Sequence, residues 1–152
     1  MVDLEKLKQL REETGISFAI CKKALEEAKN DISKAKKFIE KIAGEKIQEK
    51  SKRSTKSGGL FTYVHHNKKV ASIVEIQCET DFVSGNKEFQ EFGHEMALQI
   101  ASLCPKNVNE LLSQEYIKDP KRKIRDLLSE VTLKFGEKIQ ISKIAFWILG
   151  EK

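Results

Sequence analysis

The residue types that could perform chemistry in this chain are few, and their spacing is unlike that of a catalytic or metal site. His65 and His66 are adjacent in a segment that alternates like a strand, so their side chains are expected on opposite faces and cannot both bind one metal ion without distortion. Cys78 and His94 have the residue types of a nucleophile and its base, but no third orienting group is evident in the sequence. The loops GxxxxGK followed by Ser or Thr, and GxGxxG, which bind nucleotide phosphates, are missing from the sequence. We therefore expect no metal, no cofactor and no enzyme active site, with a thiol enzyme at Cys78 as the alternative.

The run from Glu79 to Gly85 is unusual for a connection between two elements, because it places two apolar residues where the chain must turn. Phe82 and Val83 lie there directly after Asp81. One interpretation is that Phe82 folds back over the end of a sheet as part of the core, while Asp81 caps the turn. The other is that Phe82 projects and inserts into a partner, where the neighbouring carboxylate captures hydrogen-bond donors.

Residues 1–45 show three amphipathic helical patterns. Leu4, Leu7 and Leu10 recur every third residue, and Thr14-Gly15 ends that helix. A second helix begins near Ser17, and Asp31 is placed to cap a third. Three short helices make a compact bundle that suits docking better than catalysis.

Residues 46–58 carry an excess of positive charge. Within Lys46–Ser57 there are five basic residues and one acidic residue, followed by Gly58-Gly59. This composition predicts a basic, flexible linker. The alternative is an RNA-binding segment, supplemented by a second basic group of Lys121, Arg122, Lys123 and Arg125.

Residues 59–152 change from helical to alternating patterns and predict an α+β domain. The expected order is two strands, two helices and a last strand, which gives an antiparallel three-stranded sheet with helices on one face. The segments are strands at Leu60–His66 and Val70–Glu79, a helix from Asn86 to Pro105, a short helical turn at Val108–Leu112, a helix starting at Asp119-Pro120, and a strand at Ile139–Leu149.

The sequence contains three widely spaced cysteines and no long apolar stretch. Cysteines in this number and spacing favour reduced thiols over a disulfide framework. The opening residues are too charged for the apolar part of a signal peptide. We expect a soluble cytoplasmic protein with no membrane association.

The run VEIQCETDFVSGNKEFQEFGHEMALQIA resembles the signature of the elongation factor Ts family, guanine-nucleotide exchange factors that act on elongation factor Tu. LKQLREETGISFAICKKALEEAKNDISKA is similar to that family's first module, a bundle resembling ubiquitin-associated domains. YVHHNKKVASIVEI and FGEKIQISKIAFWILGE are similar to the family's hairpin and last strand. The resemblance covers nearly the whole chain in order.

The resemblance implies an exchange factor that binds elongation factor Tu in its GDP-bound and nucleotide-free states, and it does not imply nucleic-acid binding. The TDFV residues Thr80, Asp81, Phe82 and Val83 would enter the G domain of that partner, displace the elements that hold Mg²⁺ and phosphate, and release GDP. The N-terminal bundle would dock on a helix of the G domain through Cys21, Lys22, Lys23, Ala24 and Leu25. Because some short members pair as dimers, the resemblance also leaves a homo-oligomer open.

Three features depart from the family pattern. Ala19-Ile20 precedes the run Cys21-Lys22-Lys23-Ala24-Leu25, where family members commonly have Met-Asp. Gln99 stands where many members have His, so no role of that His is transferred. The family also usually has a further helical stretch after the position of Pro105, whereas here Leu111-Leu112 follows almost at once.

Overall fold

The structure is a computed structural model that describes residues 1–151, with the backbone alone at residue 47. Within that range it contains seven helices and five strands. The helices are α1 (Leu4–Thr14), α2 (Phe18–Glu27), α3 (Ile32–Lys50), α4 (Asp81–Ser84), α5 (Lys87–Leu103), α6 (Val108–Ser113) and α7 (Ile124–Phe135). The strands are β1 (Ser57–Val64), β2 (Val70–Cys78), β3 (Glu115–Tyr116), β4 (Asp119–Lys123) and β5 (Gln140–Ile148).

The first of two compact units consists of residues 1–52 and 129–136. The carboxylate of Asp3 caps α1 by accepting from the backbone N–H groups of Glu5 and Lys6 at 3.0 and 3.2 Å. Asp31 caps α3 in the same way, with 3.0 Å between its Oδ1 and the nitrogen of Lys34. The buried cluster of this unit contains Leu7, Leu10, Ile16, Cys21, Ala24, Leu25, Ala28, Ala35, Ile39, Ala43 and Leu133. The three predicted helices are present, and the end of α7 completes their core.

The second unit consists of residues 53–128 and the chain from Glu137 onward, and it is built on the predicted antiparallel sheet. The strand order is β1-β2-β5, with β2 in the centre. On β2, Val74, Ile76 and Cys78 are fully buried, and the hydroxyl of Ser72 donates to the backbone oxygen of Ala97 in α5 at 2.5 Å. The alternation of β2 therefore directs one face of the sheet toward α5, as predicted.

The opposite face of the sheet carries several exposed apolar side chains. Ile73 pairs with Ala145 of β5, and Trp147 pairs with Ala71 of β2, so these side chains lie on the face away from α5. Ile73, Leu60 and Trp147 are 40%, 65% and 83% exposed.

A glycine in α5 permits close packing of that helix on the sheet. A Cβ atom placed on Gly93 would overlap the ring of Phe61 in β1. The ring of Phe61 also packs edge-on against Phe89, with 5.9 Å between centroids. Helix α5 is thereby held against β1 immediately beside the segment that connects β2 to α5.

The prediction that a helix starts at Asp119-Pro120 is wrong. Residues 119–123 form β4, which pairs with β3, and α7 begins only at Ile124. Proline is tolerated because a two-stranded ribbon leaves an edge on which its missing N–H is not required.

The cause of this difference is Gln99, which is fully buried in α5. Its Oε1 accepts from the backbone nitrogen of Ile117 at 3.0 Å, and its Nε2 donates to the backbone oxygen of Glu115 at 3.0 Å and to Oε1 of Gln114 at 3.2 Å. These bonds fix residues 114–117 on α5, so the chain turns back before the last helix begins. Gln99 is thus a structural anchor for this segment.

The basic segment expected to be a linker is partly regular structure. Helix α3 continues through Lys50, and β1 begins at Ser57, so only residues 51–56 lie between these elements. The division into a docking domain at 1–45, a linker at 46–58 and a core at 59–152 stays a prediction.

None of the helices in residues 1–151 is both long and apolar enough to span a membrane.

Candidate functional site

The connection between β2 and α5 forms one turn of helix, α4, where the sequence indicated a loop. Thr80 precedes it in an extended conformation, with φ −130° and ψ 157°. The backbone nitrogen of Ser84 donates to the oxygen of Thr80 at 3.2 Å, and that of Gly85 donates to the oxygen of Asp81 at 2.9 Å. Asn86 then caps α5 by accepting from the nitrogen of Glu88 at 2.8 Å. The Asp81–Ser84 turn is therefore held by hydrogen bonds at both of its ends.

Phe82 and Val83 point in opposite directions from this turn. Val83 is 7% exposed and belongs to the core, whereas Phe82 is 93% exposed. The interpretation of Phe82 as part of the core is therefore wrong for this structure, because its ring has lost almost no contact with solvent. The turn presents an aromatic side chain on a base that Val83 anchors.

The carboxylate of Asp81 lies beside Phe82 and is exposed. The hydroxyl of Ser57, at the start of β1, donates to its Oδ1 at 2.7 Å. An ionised carboxylate has capacity for further donors besides this one. Ser57 thus orients the group while leaving it in reach of a partner.

Glu137 is the residue at this site that the sequence did not indicate. Its Oε1 accepts from the backbone nitrogens of Glu79 and Thr80 at 3.1 and 3.0 Å, and its Oε2 accepts from the hydroxyl of Thr80 at 2.6 Å. It is separated from Thr80 by 57 positions in the chain. No spacing rule links two residues so far apart, and the only local signal is an acidic residue directly after the helix-ending Gly136.

Cys78 lies under the same turn and is fully buried. Its Sγ donates to the backbone oxygen of Thr80 at 3.3 Å. Burial, chiefly, and the nearby negative charge of Glu137 raise the pKa of this thiol above its ordinary value. The thiolate required of a nucleophile is therefore disfavoured near neutral pH, which argues against the thiol-enzyme alternative.

The two adjacent histidines do not lie on opposite faces of a strand, and that expectation is wrong. Strand β1 ends at Val64, and the backbone nitrogen of Lys68 donates to the oxygen of His65 at 2.8 Å in the turn that follows. Outside the strand the rings of His65 and His66 approach to 4.2 Å between centroids. Among residues 1–151, no group of three or more potential metal-binding side chains is close enough to hold an ion.

The candidate docking residues of α2 divide into a buried and an exposed group. Cys21, Ala24 and Leu25 are each 0% exposed within the first unit. They hold α2 in the bundle and are not available for direct contact. Lys22 and Lys23 are exposed on the other side of the helix, so any direct contact from this set falls to the two lysines.

A groove beside α2 was not predicted from the sequence. It encloses about 460 Å³ between α1 and the start of α2, and its lining includes Leu4, Arg11, Gly15 and Phe18. Leu4 and Phe18 are 74% and 50% exposed. Phe18 is the first residue of α2, directly after the helix-capping position Ser17. Its place at the end of the helix is the only signal in the sequence that distinguishes it from the buried residues of the same helix.

Comparison with known proteins identifies relatives of both units. The family model described as Elongation factor TS matches residues 79–149, and the model described as Elongation factor Ts, mitochondrial, N-terminal matches residues 2–46. The chain is 31% identical to elongation factor Ts of Thermosipho melanesiensis, over 99% of this chain and 100% of that protein. It is 33% identical to elongation factor Ts of Coprothermobacter proteolyticus, over 95% of this chain and 96% of that protein.

These alignments also record how much shorter this chain is. The alignment with the Thermosipho protein has 196 positions, whereas this chain has 152 residues, so at least 44 positions have no residue here. Elongation factor Ts of Aquifex aeolicus is 37% identical over 93% of this chain but only 51% of its own length.

Proposed function

The chain belongs to the elongation factor Ts family, and from that membership we propose that it is a guanine-nucleotide exchange factor that binds elongation factor Tu carrying GDP and promotes GDP release. It acts during translation elongation, in the cytoplasm, and has no enzyme active site or cofactor of its own. The observation that supports this proposal most is the projecting ring of Phe82, which is 93% exposed on a hydrogen-bonded turn. An exposed aromatic ring on such a turn has the properties of a residue that a partner protein buries at an interface.

The Asp81–Ser84 turn is the part that we propose acts on the nucleotide site. Phe82 inserts between elements of the partner's G domain, and the carboxylate of Asp81 captures donors released by that movement. Thr80 and Val83 hold the turn from the side of the sheet. Disturbing a bound Mg²⁺ is effective because the ion neutralises concentrated phosphate charge, so its loss weakens every remaining contact with GDP.

Such a factor accelerates release without making or breaking a covalent bond. It binds the nucleotide-free partner more tightly than the GDP-bound partner, and thermodynamic linkage then requires GDP to weaken its binding by the same factor. The free energy comes from burying the exposed ring and orienting the carboxylate. The acceleration of GDP release therefore depends on how rigidly the Asp81–Ser84 turn holds Phe82 and Asp81 in position.

The first unit is proposed to provide docking. Lys22 and Lys23 offer exposed positive charge, and Leu4 and Phe18 offer exposed apolar surface beside α2. Docking at one unit raises the effective concentration of the turn in the other unit at its target. RNA binding by the basic residues is not part of the proposal. A homo-oligomer stays a prediction, to be measured by sedimentation.

The linkage relation gives the test. Affinity for elongation factor Tu is measured by calorimetry with nucleotide-free partner and with partner saturated by GDP. We expect weaker binding in the presence of GDP, by the same factor by which this protein weakens GDP binding. Equal affinity in the two states would refute the proposed mechanism of differential binding even if a complex forms.

A docking variant serves as the matched control. Phe18→Ala together with Lys22→Gln should weaken binding to both nucleotide states of the partner equally, because these side chains lie far along the chain from the turn. The ratio of the two affinities should stay at the parent value. A change in that ratio would assign these residues to the exchange step instead.

A further inference from the structure

We propose that Glu137 is the positioning residue of the Asp81–Ser84 turn, and that its carboxylate sets the direction in which Phe82 projects. The proposal rests on the exchange function above, because it names the residue on which the presentation of Phe82 depends. Glu137 itself is not required to touch the partner.

Two backbone N–H groups just before the turn have no partner in the strand ladder, and Glu137 supplies their acceptor. Strand β2 ends at Cys78, whose ladder partner is Ser57, the first residue of β1. The N–H groups of Glu79 and Thr80 lie beyond this ladder, and both donate to Oε1 of Glu137. Backbone donors left without acceptors in a partly buried place are costly, so this carboxylate replaces the missing strand partner.

The side chain of Thr80 is committed to the same carboxylate. Thr80 occupies the capping position of α4, yet its side chain makes no capping hydrogen bond to that helix. Its hydroxyl instead donates to Oε2 of Glu137 at 2.6 Å. The three hydrogen bonds to one ionised group are charge-assisted and stronger than neutral ones. They fix both the main chain and the side chain of the residue from which the turn begins.

A second hydrogen bond, in the opposite direction, joins the segment before the turn to the segment before β5. The backbone nitrogen of Lys138 donates to Oε2 of Glu79 at 3.0 Å, and Arg53 lies 3.5 Å from that oxygen. Glu79 and Glu137 therefore each bind the backbone of the other's segment. Because Phe82 contributes almost no packing of its own, its direction depends on these bonds, on Val83 and on the hydrogen bonds within the turn.

Loss of the Glu137 hydrogen bonds should add a conformational-entropy cost to binding of the partner. Without Glu137, residues 79–82 would sample several conformations, and the partner would have to select the productive one. Binding through the first unit would not change. We therefore expect the maximal rate of stimulated GDP release to fall, while the protein concentration giving half of that rate changes little.

Two substitutions at one position separate hydrogen bonding from charge. Glu137→Ala removes all three acceptor contacts. Glu137→Gln removes the charge but keeps a carbonyl oxygen that can accept both backbone N–H groups, and its amide can donate to the Thr80 hydroxyl. We expect Glu137→Ala to reduce the maximal release rate about tenfold, and Glu137→Gln to restore it to within about threefold of the parent.

A control variant and a structural readout complete the experiment. Glu91→Ala removes an exposed glutamate of α5, whose ion pair with Lys87 spans 3.9 Å, and should leave the rate unchanged. Hydrogen–deuterium exchange of residues 79–85 should be faster in Glu137→Ala than in the parent and close to the parent in Glu137→Gln. If Glu137→Ala fails to fold, Thr80→Val, which removes only the hydroxyl contact, should show the same change to a smaller degree.

The possible results distinguish this proposal from the exchange function. Unchanged hydrogen exchange in Glu137→Ala, or a Glu137→Gln protein as impaired as Glu137→Ala, would overturn the positioning role. If hydrogen exchange changes as expected but Phe82→Ala releases GDP at the parent rate, the positioning role of Glu137 stands. The proposed exchange mechanism through Phe82 is then wrong.

Discussion

Replacing Phe82 by Ala should separate exchange activity from stability. Truncating a fully buried Phe typically costs about 3–5 kcal/mol. Phe82 is 93% exposed, so less than a tenth of that burial is at stake. The expected loss of stability is about 0.3 kcal/mol, which lowers the melting temperature of a chain of this size by about 1 °C.

The effect on exchange should be far larger, because we propose that the ring is buried on the partner. Burying a Phe side chain contributes about 1.5–3 kcal/mol. If that energy is realised in the transition state for release, its loss slows stimulated release of GDP roughly 10- to 150-fold. The assay is the release of fluorescent GDP from elongation factor Tu at saturating exchange factor, with thermal unfolding measured on the same preparation.

An exposed apolar residue elsewhere in the second unit supplies the control. Leu149 is 72% exposed, and Leu149→Ala should change neither release nor melting. A Phe82→Ala protein that melts early would show that the ring is part of the core. One that releases GDP at the parent rate would show that the projecting ring is not used.

Four further predictions concern other residues. Gln99→Leu should destabilise the protein by about 1–3 kcal/mol in urea unfolding, because the Ile117 nitrogen and the Glu115 oxygen lose their partner; a change near zero would mean that residues 114–117 are anchored by other contacts. Thr132→Val should raise stability by up to about 1 kcal/mol, since the buried Thr132 hydroxyl has no hydrogen-bond partner among the described residues, and a loss would reveal a hidden partner. Lys52→Gln with Lys56→Gln, two exposed residues between α3 and β1, should reduce any RNA affinity in filter binding and leave GDP release unchanged; an equal fall in both would place this segment on the exchange surface. Because the pKa of Cys78 is raised, iodoacetamide at neutral pH should modify this thiol much more slowly in the folded protein than in urea, and rapid modification when folded would revive the thiol alternative.

Local patterns in the sequence were sufficient for most of the fold. Asp31 was expected to cap α3, and it does so because a carboxylate before a helix accepts from the first free N–H groups. The alternation in Val70–Glu79 predicted a strand, and β2 spans Val70–Cys78 with Val74, Ile76 and Cys78 fully buried. The exposed turn at Phe82 was one of two interpretations that the sequence left open.

Contacts between distant segments account for what the sequence did not predict. Asp119-Pro120 has the local chemistry of a helix start, but Gln99 holds the preceding residues on α5, and these bonds override the local preference. Leu133 joins the buried cluster of residues 1–52, although a long stretch of chain separates them. Glu137 binds Thr80 across 57 positions of the chain. Helical and strand periodicities describe neighbours along the chain, so they carry no signal for such pairs.

The most direct measurement is the rate at which labelled GDP leaves elongation factor Tu with and without the parent protein, in excess unlabelled nucleotide. The account predicts a rate that rises with the concentration of this protein and then saturates, with no hydrolysis or other chemical change of the nucleotide. A rate independent of the added protein, when binding to elongation factor Tu is demonstrated in the same solution, would contradict it.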